Sequence, residues 1–92
     1  MKVIYKYDLP IKHGTFLFCD LPMNSRILSV GCQDNLRAVM WVLQEKNCSE
    51  IERRIILCMF TGAEMDMLDL DKFLGTVSFD NGGFICHYFE VT

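Results

Sequence analysis

The 92-residue sequence predicts an all-β domain, a sandwich or small barrel of about seven antiparallel strands with at most one short helical turn over Met65–Phe73. Three observations predict it. Apolar runs are short and are interrupted by turn residues at a spacing of roughly 10–15 residues. Several runs alternate apolar with polar, the period of a strand with one buried face. Between the last two runs lies Asn81-Gly82, and an Asn-Gly pair supplies the positive φ that a two-residue hairpin needs.

The elements follow in order. Lys2–Leu9 places Val3, Tyr5, Tyr7 and Leu9 on one side and Lys2, Lys6 and Asp8 on the other, and Pro10 ends it because proline cannot donate to a ladder. Gly14–Leu21 carries Phe16 and Phe18, and Pro22–Ser25 is turn chemistry. Arg26–Gln33 sets Leu28, Val30 and Cys32 against Ile27, Ser29 and Gly31. Leu36–Gln44 is apolar on both faces, which predicts a central strand covered on both sides. A helix competes over Leu36–Lys46, but β-branched and aromatic content favours the strand. Ile51–Phe60 is the longest apolar run, and its Arg53-Arg54 pair should point to opposite faces. Leu74–Phe79 and Gly83–Val91 close the domain.

Hydrophobic residues make up 51% and charged residues 23%, a globular rather than a disordered composition, and the length fits one domain over 1–92. A spanning helix needs about 20 apolar residues. The longest uncharged stretches, Ile55–Ala63 and Asn81–Phe89, have nine each. Lys6 and Asp8 fall where a signal peptide would be apolar, which argues against export. A net charge of −3 argues against a general nucleic-acid binder. Five cysteines at 19, 32, 48, 58 and 86 lack the C-x-x-C spacing of zinc or redox sites. Four sit in apolar runs and read as reduced core thiols; Cys48 sits in a polar turn.

Nothing in the chain assembles a catalyst. Nucleophilic catalysis needs a histidine oriented by a third group. His13 lies in a turn, and His87 shares a strand face with Ile85, Phe89 and Val91. There is no G-x-S-x-G, no phosphate loop and no dinucleotide fingerprint. Asp66, Asp69 and Asp71 lack the glycine and distal glutamate of a calcium loop, so neither a metal nor a cofactor is expected. Arg37 and Trp41 share strand parity and could grip a phosphate and stack a base.

Several segments resemble a family of short proteins of unknown function encoded by phages and prophages. They are Lys2–Leu9, Ile27-Leu28-Ser29-Val30, Trp41, Gly75-Thr76 and His87-Tyr88-Phe89-Glu90-Val91. Family members carry a Gly-Thr-Gly-His-Pro loop after the long fifth strand. Here the loop reads Phe60-Thr61-Gly62-Ala63-Glu64, without the first glycine, the histidine and the proline. The resemblance implies a small phage protein in the host cytoplasm and no established activity.

The expectation is a non-catalytic binding protein that inhibits a host defence protein. Glu64, Asp66, Asp69 and Asp71, an acidic run otherwise read as a solvated loop, would meet a basic surface, with Trp41 as an aromatic contact. The alternative is a sponge for a nucleotide signal, using Thr61, Gly62, Arg37 and Trp41. A minor structural or housekeeping phage protein is the third reading. Leu36–Gln44 and Ile51–Phe60 are both apolar on two faces, and this surplus surface further predicts a homodimer or higher oligomer, with Trp41 near its interface or beneath Met65–Phe73.

Overall fold

The computed structural model describes residues 1–34, 37–64, 72–79 and 84–91. Its seven strands are β1 (Lys2–Leu9), β2 (Phe16–Pro22), β3 (Arg26–Gln33), β4 (Arg37–Glu45), β5 (Ile51–Phe60), β6 (Phe73–Phe79) and β7 (Phe84–Glu90). They form two antiparallel sheets, ordered β1-β4-β3 and β2-β5-β7-β6. The predicted all-β sandwich is the fold. It is a slab of 39 × 32 × 18 Å.

The interior follows from the period of two. The three-stranded sheet contributes Leu9, Ala38, Met40 and Val42, and the four-stranded sheet Leu21, Ile56, Cys58, Val77, Phe79, Cys86 and Tyr88. Two phenols, Tyr88 fully buried and Tyr7 partly so, are satisfied: Tyr88 donates to the Pro10 carbonyl at 2.6 Å and Tyr7 to Gln44 Oε1 at 2.8 Å. At one end Arg54 closes the interior. Its guanidinium grips the Glu90 carboxylate and donates through Nη1 to Ser25 O at 2.9 Å and Glu52 Oε1 at 3.2 Å. Arg53 points the opposite way and pairs with Asp20 at 3.2 Å, the alternation expected of a strand.

β4 is the central strand of its sheet, as its two apolar faces predict, and the competing helix does not form. The faces of β3 differ from the sequence pattern. A bulge between Ile27 and Ser29 inserts Leu28 as an extra residue. Ile27 therefore joins Val30 and Cys32 against the core, while Leu28 is 43% exposed. Phe73 opens β6 instead of ending a helical turn; residues 65–71 of that turn lie outside the described residues, as does the Asp80–Gly83 connection. The strands flanking that connection pair antiparallel, with Phe79 opposite Phe84.

The sheets approach most closely where β3 meets β6. Gly75, beside a second bulge, has φ +153°, and a Cβ there would stand 2.7 Å from Val30 Cγ2. On the outer side of β4, the indole of Trp41 lies over Gly31, with Cζ3 2.9 Å from where a Cβ would be. Lys6 Nζ donates to Gln33 Oε1 at 2.6 Å. By register this bond spans β4 above Val39, which is fully buried. The surplus apolar surface predicted on β4 is thus largely covered within the chain.

Candidate binding surface

The four-stranded sheet has an apolar outer face as well as an apolar inner one. Phe16 and Phe18 have the outward parity of β2, opposite the core residues Leu17, Cys19 and Leu21. Ile55, Leu57 and Met59 take that parity on β5, and Ile85, His87 and Phe89 on β7. The registers align these side chains in rungs. Phe16 stands opposite Leu57, Leu57 opposite Phe89, and Phe89 opposite Phe73, so one apolar rung crosses all four strands. The Phe73 and Phe89 rings meet at 5.2 Å between centroids. A neighbouring rung joins Phe18 to Ile55, whose carbonyl accepts the Val91 N–H at 2.7 Å.

Burial is uneven along this face. Leu57, Met59 and Phe89 form a small cluster with Ala63 and Val91. Phe16, Phe18 and Phe73 remain 49%, 61% and 45% exposed, and no second sheet covers them among the described residues. Buried Leu57 and Phe89 separate Phe73 from the β2 pair, so the adjacent exposed aromatics are Phe16 and Phe18; neighbouring exposed aromatics on one face mark a candidate interaction site, whereas scattered exposed apolar residues are ordinary.

The next rung is polar. His87 stands between β5 and β6, with Nε2 2.7 Å from Thr61 Oγ1 and Nδ1 2.9 Å from Thr76 Oγ1. Both ring nitrogens are engaged. His13 also has a structural place: its Nδ1 accepts the Phe60 N–H at 3.1 Å. Beside His87 lies a cavity of about 240 Å³ lined by Met59, Phe60, Thr61, Gly62, Ala63, His87 and Phe89. Gly62 turns the chain there with φ +86°.

Cys58 and Cys19 are poor nucleophiles. Burial first, and then neighbouring Cys86, pushes the Cys58 thiol up to about 12. Burial and then Asp20 push Cys19 up. Burial, then Cys58 and Cys86, raise the Tyr88 phenol as well. All three groups are protonated at neutral pH. Cys48 donates to Glu50 O at 3.2 Å. Among the described residues no three His, Cys, Asp or Glu side chains converge on a metal position.

The structure divides the residues singled out from sequence. Thr61 and Gly62 line the cavity at the end of β5. Arg37 and Trp41 have the outer-face parity of β4, in the other sheet, so the four do not line one pocket. Glu64 is exposed, directly after Ala63; Asp66, Asp69 and Asp71 lie outside the described residues. Sequence reasoning read Ile51–Phe60 as apolar on both faces but named none of Phe16, Phe18, Leu57 and Phe89 as site residues. The signal of this outer face was present in the shared parity of Phe16 with Phe18 and of Leu57 with Met59.

A family model matches residues 1–92 and is described as a domain of unknown function, DUF7352. The chain belongs to this family. No curated protein and no solved structure is significantly similar to it. No helix among the described residues is long and apolar enough to cross a membrane.

Proposed function

We propose that this member of DUF7352 is a non-catalytic binding protein that engages another protein through the outer face of its four-stranded sheet. The observation that carries the reading is the pair of exposed aromatics Phe16 and Phe18 on the outer face of the edge strand β2, beside the buried apolar cluster of Leu57, Met59 and Phe89. Aromatic side chains dominate the energetic centres of protein interfaces. Glu64, exposed next to Ala63 of this face, adds an acidic group suited to a basic partner, and Asp66, Asp69 and Asp71 follow it in the sequence. The resemblance to phage and prophage proteins supports the finer reading, an inhibitor that acts in the host cytoplasm by covering part of a host defence protein.

The test is capture from host lysate at low salt, with wild type and Phe18→Asp side by side. Phe18 is 61% exposed, so the variant keeps its fold, with stability changed by less than about 1 kcal/mol. A protein held by wild type, lost with the variant, and bound directly when purified supports the reading. Equal capture by both, or enrichment of nothing, overturns it.

A second reading rests on the cavity beside His87, which contains Thr61 and Gly62 of the sponge hypothesis. At about 240 Å³ it is smaller than most ligand pockets, which run to roughly 300–1,000 Å³. Arg37 and Trp41 lie in the other sheet and do not complete it, so the protein-binding reading is preferred. A large thermal shift with cyclic dinucleotides or ADP-ribose derivatives would reverse that order.

A further inference from the structure

We propose that the free edge of β1 pairs with β1 of a second copy of this chain, antiparallel about a two-fold axis, joining two three-stranded sheets into one of six strands. This assembly is separate from the outer face assigned to the protein partner, and either can fail without the other.

The four sheet edges are not equivalent. β3 is broken by the bulge at Leu28, β6 by the bulge between Phe73 and Gly75, and β2 ends on Pro22. Bulges and prolines are devices that spoil an edge for pairing. β1 has neither. It pairs with β4 in unbroken register from Lys2 to Leu9, which leaves its other side a regular row of backbone donors and acceptors. Ile4 and Tyr5, on opposite faces of this strand, are 56% and 45% exposed.

Charge and length of overlap together select one register, since an axis on Tyr7 also sets Lys6 against Asp8 but pairs only Tyr5–Leu9. A two-fold axis normal to the sheet requires facing residues of the same parity. With Tyr5 opposite Tyr5, Lys2 of each copy faces Asp8 of the other, Val3 faces Tyr7, and Ile4 faces Lys6. Centring the axis on Ile4 sets Lys2 against Lys6; centring it on Lys6 sets two lysines face to face. Like charges directly opposite are destabilising. Neither Lys2 nor Asp8 has a side-chain partner among the described residues, and both are exposed. The Lys6 ammonium is drawn back across β4 to Gln33, which leaves its stem for Ile4 of the second copy.

Sedimentation and light scattering from about 1 to 200 µM test the proposal, a range chosen because a single edge makes a small interface. Wild type should reach twice 10.7 kDa as concentration rises. Asp8→Lys or Lys2→Asp alone should weaken association about tenfold, since two favourable pairs become two repulsive ones. The double variant Lys2→Asp with Asp8→Lys should recover wild-type association, because only this register exchanges the two partners. In a second arm, Tyr5→Cys should form a disulfide-linked dimer under mild oxidation while wild type, with its native cysteines, does not. That arm decides the matter if a charge variant loses its fold. A wild type that stays at 10.7 kDa throughout overturns the proposal. So does a dimer that ignores both single reversals and leaves Tyr5→Cys uncrosslinked.

Discussion

Gly75 and Gly31 both stand where a methyl group would meet another side chain, but the neighbours differ in how far they can yield. At Gly75 the obstacle is Val30 Cγ2 at 2.7 Å, a stiff β-branched side chain on the opposite sheet, and φ is +153°. At Gly31 it is the far edge of the Trp41 ring at 2.9 Å, which can tilt toward solvent. Gly75→Ala should therefore cost about 2–4 kcal/mol and Gly31→Ala about 1 kcal/mol, the first combining strain with overpacking. Urea unfolding measures both. Gly31→Ala should also shift Trp41 emission to the red as the ring lifts. A larger loss at Gly31 than at Gly75 would contradict the assignment. The residue scale also shows what the sequence hid about Trp41. Its parity was readable, but the glycine beneath it lies on a neighbouring strand, and no local pattern reveals that a ring has found cover there.

At the scale of elements, period-two patterning made the strands legible because each buries at least one face. β1, β4 and β5 lie where their alternation and apolar runs place them. The face assignment of β3 was not legible. Ile27-Leu28-Ser29-Val30 reads as unbroken alternation, and a bulge leaves no mark in composition. The candidate surface was half legible. Both faces of Ile51–Phe60 were visibly apolar, but the rung through Phe16, Leu57, Phe89 and Phe73 depends on registers between strands far apart in sequence. The β5–β7 pairing has a pH signature of its own. Cys58 sits opposite Tyr88, and burial raises both groups above their ordinary values. A raised value in the folded state means that the unfolded chain loses its proton first. The stabilisation is complete below pH 9.0 and is lost as pH climbs from there toward about 12. Thermal melts should therefore fall steeply over that interval. Cys58→Ala should flatten the decline.

At the scale of the whole molecule, the route of the chain decides how fast it can assemble. Only β3–β4 and β6–β7 are paired between consecutive strands; β1 must wait for β4, and β2 for β5. Lys2 finds its partner at Glu45 and Phe16 at Leu57, so most of the ladder joins segments distant in sequence. Such topologies fold in about milliseconds to seconds, because loop closure precedes the contacts that reward it. Stopped-flow refolding followed by Trp41 fluorescence should fall in that range, and a microsecond phase carrying the full amplitude would contradict it. On the ribosome the delay is longer. β1 leaves the tunnel well before Glu45 does, and at roughly 5–20 residues per second it waits a few seconds for that partner to emerge. For that interval it is a bare apolar strand beside other nascent copies. Misaligned pairings of that strand set Lys2 and Lys6 against like charges, which destabilises them until β4 arrives.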